Sequence, residues 1–239
     1  MHIILEQEDT TKPYYKVGLS NEQQWLDDFA AFDIAPLGWE DTPDKRLDCA
    51  YVIQDPSSND EGFLYEVYCR FHGIPLDVLQ TTRCYVRELC LDDMDSLYEL
   101  YSSEGFTEFM EPLFDYEEEL EYEKKYIRNI YGIYGFGMWL VFDKATERLI
   151  GRCGLEYKEQ ENGEAAVELG YGIHADFRKK GYATEVCSAI MKYAKDRNLL
   201  PILCRIDPQN AASVALARKL GFIAADEIIN NEQYWWYKA

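Results

Sequence analysis

One stretch, residues 167–184, constrains the fold of this chain more than any other. It contains an alternating segment, then a basic loop with a glycine, then a helical segment. In the alternating segment, bulky residues take turns with small or acidic ones. The bulky residues are Val167, Leu169, Tyr171 and Ile173, and those between them are Glu168, Gly170 and Gly172. A period of two predicts a β-strand with one bulky face and one face on which the backbone is nearly bare.

The loop and the start of the predicted helix have the properties of an anion-binding site. Arg178, Lys179 and Lys180 put three cations into a chain that is otherwise strongly acidic. Gly181 allows a ligand to approach the backbone closely, and a helix N-terminus offers unpaired N–H groups with partial positive charge. The sequence therefore predicts that this loop binds a phosphate-like group.

A family resemblance starts in this loop. Arg178-x-x-Gly181-x-Ala183 resembles the pyrophosphate loop, Gln/Arg-x-x-Gly-x-Gly/Ala, of the GCN5-related N-acetyltransferase (GNAT) superfamily. The run 168–184 is similar to the branch that acetylates ribosomal-protein N-termini. Two later motifs have the order and spacing of that branch, namely Asp207-Pro208-Gln209-Asn210-x-x-Ser213 and Leu220-Gly221-Phe222. The resemblance covers residues 83–239 and is not visible in the first 80.

The resemblance implies an α/β (α+β) GNAT fold, with a mixed, mostly antiparallel sheet of six or seven strands and helices on both faces. It implies acetyl-CoA as co-substrate and no metal, with the pantetheine arm between the strand ending at Ile173 and a strand at 202–206. Backbone N–H groups near residues 172–174 would hold the thioester. The residues that it assigns to CoA are Gly172, Ile173, His174, Arg178, Lys179, Lys180, Gly181, Tyr182, Ala183, Thr184, Asn210 and Ser213.

Acetyl transfer to an amine needs a base and a group that stabilises the leaving thiolate. Glu168 is the predicted base, acting through water, because it lies on the bare strand face; pairing with a neighbouring cation is the alternative. Many family members carry a Tyr seven residues after the motif's Asn, but this chain has Ala217 there. The resemblance to the ribosomal-protein branch, which carries a Ser at the position of Ser213, implies that this hydroxyl donates a hydrogen bond to the departing sulfur. The alternative is an ordinary polar residue in a first helical turn.

These features predict an N-acetyltransferase that moves an acetyl group from acetyl-CoA to a primary amine by direct attack in a ternary complex. The acceptor is a protein N-terminus or a small-molecule amine, and the sequence does not choose between them. A non-catalytic acyl-CoA-binding or sensing module with an N-terminal interaction domain is the alternative, which the missing Tyr at position 217 keeps open. The sequence also leaves open whether the protein forms a homodimer.

The formal net charge of −20 argues against a nucleic-acid or anionic-membrane surface. The net charge is −11 over residues 1–82 and −9 over the remainder, so the excess of acidic side chains is shared along the chain. Seven cysteines without a Cys-x-x-Cys pair predict reduced, buried thiols in a cytoplasmic protein, and three histidines without ligand spacing argue against zinc. The first residues do not predict a signal peptide, and the longest near-apolar run, 132–142, is too short to span a bilayer.

Two domains are predicted, with a junction at 73–82. Residues 1–80 form a small α/β domain of unknown role without catalytic spacing, and residues 83–239 form the acetyltransferase domain. In the first domain, Ser20-x-x-Gln23 predicts a capping box. The helix after it is expected to pack through Trp25, Phe29 and Phe32.

The second domain contains an acidic stretch and two predicted hairpins. Residues 111–123 hold seven carboxylates and predict a solvated helix face, with a part in attracting amines as the alternative. Apolar runs at 136–142 and 149–157 predict one hairpin, and 222–229 with 233–237 the other. Asn210 is the predicted N-cap of a helix that ends at Gly221.

Overall fold

The computed structural model describes residues 2–7, 13–58, 60–159 and 165–237. It consists of two compact units, Met1–Leu76 and Asp77–Ala239. The first unit contains strands β1 (His2–Glu6), β2 (Lys16–Ser20), β3 (Ala35–Trp39) and β4 (Val52–Ile53), and helices α1 (Gln23–Ala31) and α2 (Glu61–His72). Its strands form one sheet in the order β1-β2-β3-β4, antiparallel between β1 and β2 and parallel in the other two pairs.

The start of α1 differs from the sequence prediction. Its N-cap is Glu22, without a side-chain cap, so the predicted capping box at Ser20 does not form. Ser20 instead ends β2, and its hydroxyl accepts a hydrogen bond from the Glu22 N–H at 3.1 Å. The buried residues of α1 are Leu26 and Phe29, whereas Phe32 is 79% exposed. The helix therefore packs through a face rotated away from Phe32.

The second unit contains one larger sheet. Its strands are β5 (Asp77–Gln80), β6 (Cys84–Arg87), β7 (Met138–Asp143), β8 (Leu149–Glu159), β9 (Ala165–Ile173), β10 (Ile202–Ile206), β11 (Ile223–Ile229) and β12 (Glu232–Tyr237). Its helices are α3 (Met94–Tyr101), α4 (Tyr116–Tyr126), α5 (Gly132–Tyr134), α6 (Tyr182–Asp196) and α7 (Ala211–Leu220), with a π-helical segment, Ile127–Tyr131, between α4 and α5.

The strand order in this sheet is β11-β12-β10-β9-β8-β7-β6-β5. Within the described part of this second sheet, only the β9–β10 pair is parallel, which confirms the predicted mixed, mostly antiparallel sheet. There are eight strands instead of six or seven, because part of the predicted junction forms β5 and pairs with β6. The two predicted hairpins, β7–β8 and β11–β12, are present.

Helices cover both faces of the sheet, as predicted. Arg152 and Cys153 are successive residues of β8 and so point to opposite faces. Arg152 contacts Glu123 of α4, whereas the Cys153 Sγ lies 3.7 Å from the Cys187 Sγ of α6. These contacts define an α4 face and an α6 face. All seven cysteines are free thiols.

Two carboxylates of the acidic helix α4 are buried, so the predicted solvated face is wrong for them. Glu119 and Glu123 are 2% and 0% exposed. Glu119 accepts the Phe114 N–H at 2.9 Å, and one Glu123 oxygen accepts from Arg152 at 2.7 Å. Burial raises the pKa of the Glu123 carboxyl, although Arg152 acts in the opposite direction.

Local signals fix the ends of the last helix and hairpin. The Asn210 side chain accepts a hydrogen bond from the Ser213 N–H at the start of α7, and Gly221 ends the helix with φ 89°. Asn230 and Asn231, with φ 52° and 66°, form the tight turn between β11 and β12. Positive φ at both turn residues is what a two-residue hairpin turn requires.

Within the described part of the chain, no helix has the length and apolar composition needed to cross a bilayer. The same residues include no group of three or more His, Cys, Asp or Glu side chains that could hold a metal ion.

The close approach of β8 to the residue before β7 makes Gly154 sensitive to substitution. A Cβ atom at Gly154 would lie 2.0 Å from the Gly137 carbonyl oxygen, and neither backbone can move freely. We expect Gly154→Ala to lower the free energy of unfolding by at least about 2 kcal/mol in urea titrations. Gly132→Ala is the control. A Cβ at Gly132 meets nothing within 4 Å, and an alanine in this helix should raise the free energy of unfolding by about 0.5–1 kcal/mol. Equal stability of the two variants would contradict this packing.

Candidate active site

The parallel strands β9 and β10 pair only near their starts. Ile202 lies opposite Val167 and Leu203 opposite Glu168, and the Val167 N–H donates to the Pro201 carbonyl at 3.1 Å. Both strands continue, β9 held by β8 and β10 held by β12. Among the described residues, 169–173 and 204–206 are no longer paired with each other. The resulting β9–β10 gap lies where the sequence predicts the pantetheine arm.

The N–H groups along β9 alternate in direction, which decides which of them face the gap. The Val167 N–H points toward β10, so those of Tyr171 and Ile173 do as well. The N–H of Gly172 points toward β8, and that of His174 donates to the Ile150 carbonyl at 2.8 Å. The predicted thioester donors therefore shift: the gap receives the N–H groups of Tyr171 and Ile173, and His174 provides none.

The face of β9 that the sequence predicts as bare is covered by side chains of the α4 face. A Cβ at Gly172 would lie 2.7 Å from a ring carbon of Phe106 and 2.8 Å from the sulfur of Met110. At Gly170 it would lie 3.0 Å from the Met138 sulfur. Both glycines are needed because these side chains rest directly on the strand backbone.

The predicted phosphate loop leads directly into α6. Gly181 is the N-cap with φ 86°, a backbone conformation that favours glycine, and no side chain caps this end of the described helix. The first N–H groups of the helix, at Tyr182, Ala183 and Thr184, therefore point out of it without a capping partner. Such an end binds anions through its N–H groups and its dipole.

The basic residues of the loop surround this helix end. The Arg178 Nε donates to the Ile173 carbonyl at 2.9 Å and so ties the loop to the end of β9. Lys179 has φ 56°, and Lys180 lies 5.8 Å from the centre of the Phe177 ring. A cleft of about 350 Å³ adjoins the loop and is lined by Glu104, Gly105, Glu108, Ala175, Arg178 and Lys179.

Arg83 belongs to this site, although the sequence analysis did not find it. Its Nη1 donates to the Lys180 carbonyl at 3.0 Å, and its Nε pairs with Glu185 at 2.7 Å. Its guanidinium lies 4.0 Å from the centre of the Tyr182 ring. A Cβ at Gly181 would lie 3.5 Å from the Arg83 Nη2. Arg83 is 97 residues from Lys180 in the chain, so no local motif could have indicated it.

His174 has a structural environment. It is 8% exposed, its Nδ1 accepts the Asp176 N–H at 3.2 Å, and its Nε2 lies 3.0 Å from Arg148. Burial and the Arg148 charge lower the pKa of its imidazole. These contacts stabilise the turn between β9 and the phosphate loop.

Ser213 and Tyr171 meet on the α6 face of the gap. Asn210 positions Ser213 by capping α7, since its side chain accepts the Ser213 N–H at 3.1 Å. The Tyr171 phenol lies next to the Ser213 side chain, and burial raises the pKa of this phenol. The predicted sulfur donor Ser213 thus has a second hydroxyl beside it.

Glu168 takes part in an ion pair on the α4 face. Its two carboxylate oxygens accept from the Arg205 Nε at 2.8 Å and Nη2 at 3.0 Å, and Lys158 lies 3.4 Å away. Arg205 also contacts Glu232 at 3.0 Å. Such a bidentate pair fixes the orientation of the carboxylate while leaving lone pairs for a water.

The sequence profile of the acetyltransferase (GNAT) domain family matches residues 83–223. The N-acetyltransferase p20 of Bacillus licheniformis is 28% identical over 151 residues, which cover 62% of this chain and 83% of p20. An acetyltransferase of Agrobacterium tumefaciens has a similar fold, with a TM-score of 0.55 and 20% identity, over 69% of this chain and 95% of that one. A ribosomal-protein-serine acetyltransferase-like protein of Vibrio cholerae has a TM-score of 0.54 and 18% identity, over 68% of this chain and 97% of that one.

The profile match spans more than half of the chain, and the chain belongs to the GNAT family of acetyltransferases. The enzymes of this family use acetyl-CoA as co-substrate. The two solved structures are too distant in sequence to support more than the common fold.

Gly181 allows a direct test of the phosphate loop. We expect Gly181→Glu to weaken CoA binding at least about 10-fold in calorimetry. A carboxylate at the helix N-terminus repels the phosphates and neutralises the partial positive charge that would attract them. Gly73→Glu is the matched control: Gly73 also has positive φ, 65°, at a helix end, and its Cβ meets nothing within 4 Å. Both variants place a side chain at a position of positive φ. Equal CoA affinity in the two would refute the loop assignment.

Proposed function

We propose that this acetyltransferase moves the acetyl group of acetyl-CoA to a primary amine by direct attack in a ternary complex. The observation that carries the proposal is the β9–β10 gap, which leads to the uncapped N-terminus of α6. A gap of this kind accepts an extended arm along unpaired backbone groups, and the helix end accepts its phosphates.

Each part of acetyl-CoA has a proposed partner. The pyrophosphate binds the N–H groups of residues 181–184 and the charges of Arg178, Lys179, Lys180 and Arg83. The pantetheine arm lies in the gap beside Asn210. The N–H groups of Tyr171 and Ile173 hold the thioester carbonyl and stabilise the charge that develops on its oxygen.

Glu168 is the proposed base, and Arg205 is its positioning residue. The carboxylate keeps lone pairs beyond the two that Arg205 occupies, so it can accept a proton from a water that contacts the amine. Ser213 is proposed to donate a hydrogen bond to sulfur as the thiolate leaves.

The acceptor is proposed to be a protein N-terminus or a small-molecule amine. The V. cholerae protein, which shares the fold, is named for the serine of a ribosomal protein. The net charge of −20 suits a cationic acceptor of either kind. Thiol release from acetyl-CoA should be measured with N-terminal peptides, polyamines, aminoglycosides and amino acids. Tight CoA binding without amine-dependent release would favour the sensing module instead.

The Glu168 assignment is tested by removing each partner of its ion pair in turn. Glu168→Gln should lower kcat by about 10²–10⁴-fold with little change in CoA affinity, because the amide cannot accept the proton. Arg205→Met removes the same ion pair but keeps the carboxylate, and it should cost clearly less activity.

Thermal unfolding of both variants separates activity from stability: both lose the ion pair between Glu168 and Arg205, and Arg205→Met also loses the contact with Glu232. If the two substitutions reduce kcat equally, Glu168 acts only through its pairing with Arg205. An unchanged kcat in Glu168→Gln would remove this residue from the mechanism.

A further inference from the structure

The buried hydroxyl of Tyr171 has the Ser213 side chain as a polar neighbour in the described part of the chain. Its oxygen is shielded from solvent and has no hydrogen-bond partner of acceptable geometry among the described residues. Most buried polar side-chain atoms in proteins do have a partner. Phenylalanine would fill the same volume without this unfavourable burial, so packing alone does not account for a tyrosine here.

The position of this hydroxyl relates it to the gap. Tyr171 lies in the part of β9 that β10 no longer pairs with. The phenol is close to the Ser213 side chain at the start of α7. Tyr171 lies opposite Cys153 of β8 and therefore shares the α6 face with it. The hydroxyl therefore lies on the α6 face of the gap, beside the hydroxyl already proposed to contact sulfur.

We propose that the Tyr171 hydroxyl donates a hydrogen bond to the sulfur of the bound thioester and of the departing thiolate, together with Ser213. This inference rests on the proposed function, since it assigns a further residue to the same transfer. Tyr171 then supplies from β9 a phenol that Ala217 cannot supply from α7.

The chemistry balances without any further reactant. The amine nitrogen forms a C–N bond with the acetyl carbon. The C–S bond breaks, and the electron pair of that bond moves to sulfur. The nitrogen loses one proton through the water at Glu168, and the thiolate takes up one proton from solvent. Tyr171 keeps its own proton, because burial raises the pKa of the phenol, and it stabilises the thiolate as a donor.

Tyr171→Phe tests the proposal because it removes only the oxygen. The first measurement needs no acceptor: the thiol pKa of bound CoA is titrated by the ultraviolet absorbance of the thiolate. We expect this pKa to be about one unit higher in Tyr171→Phe than in the wild type, because a donor to the thiolate is lost. With an active amine, kcat should fall about 10- to 100-fold while KM for the amine changes little.

Stability and a control variant separate this role from packing. In thermal unfolding, Tyr171→Phe should be at least as stable as the wild type, since the buried hydroxyl makes no well-formed hydrogen bond within the described residues. Tyr193→Phe removes a hydroxyl that bonds the Gly135 carbonyl at 3.3 Å away from the gap, and it should change neither the thiol pKa nor kcat.

The possible outcomes distinguish this inference from the proposed function. Equal thiol pKa and equal kcat in wild type and Tyr171→Phe would overturn the inference and leave the acetyltransfer standing. Binding of CoA without turnover would overturn the proposed transfer, and the thiol pKa would still decide whether Tyr171 contacts sulfur. Failure of the wild type to bind CoA would overturn both.

Discussion

The early end of the β9–β10 pairing is the constraint on which the rest of the site depends. Each strand remains fixed by an antiparallel neighbour, β8 or β12, so the sheet stays intact where the two separate. The separation leaves backbone N–H groups of β9 without strand partners, and such groups need a partner when water is excluded. A ligand that lies along the gap can satisfy them.

Close backbone packing around the gap fixes its walls. Gly170 and Gly172 let Met138, Phe106 and Met110 rest against β9 on one face. The same strand receives the Arg178 Nε at the carbonyl of Ile173, which sets where the phosphate loop begins. Arg83 then joins the loop to the start of β6 through the Lys180 carbonyl and Glu185. The predicted phosphate loop is therefore held by the end of β9 on one side and by the residue before β6 on the other.

Local motifs predicted the parts of this structure that depend on a few consecutive residues. The turn at Gly181, the cap at Asn210 and the stop at Gly221 each follow from backbone preferences of single residues. Register and long-range pairing were beyond such reasoning. The ion pair of Glu168 with Arg205, the use of the His174 N–H by Ile150, and the contacts of Arg83 all arise only once the strands are aligned. The burial of Glu123 likewise depends on Arg152 of a distant strand.

The alternation of β9 places the two halves of the proposed chemistry on opposite faces of the sheet. Glu168 points to the α4 face, together with Gly170 and Gly172, whereas Tyr171 points to the α6 face with Ser213. In the proposed chemistry, an amine activated by Glu168 and a sulfur stabilised by the hydroxyls of Tyr171 and Ser213 can belong to one reaction only if the thioester passes between the strands. Continuous pairing of β9 with β10 would block that passage. The proposed chemistry therefore requires the broken parallel pair.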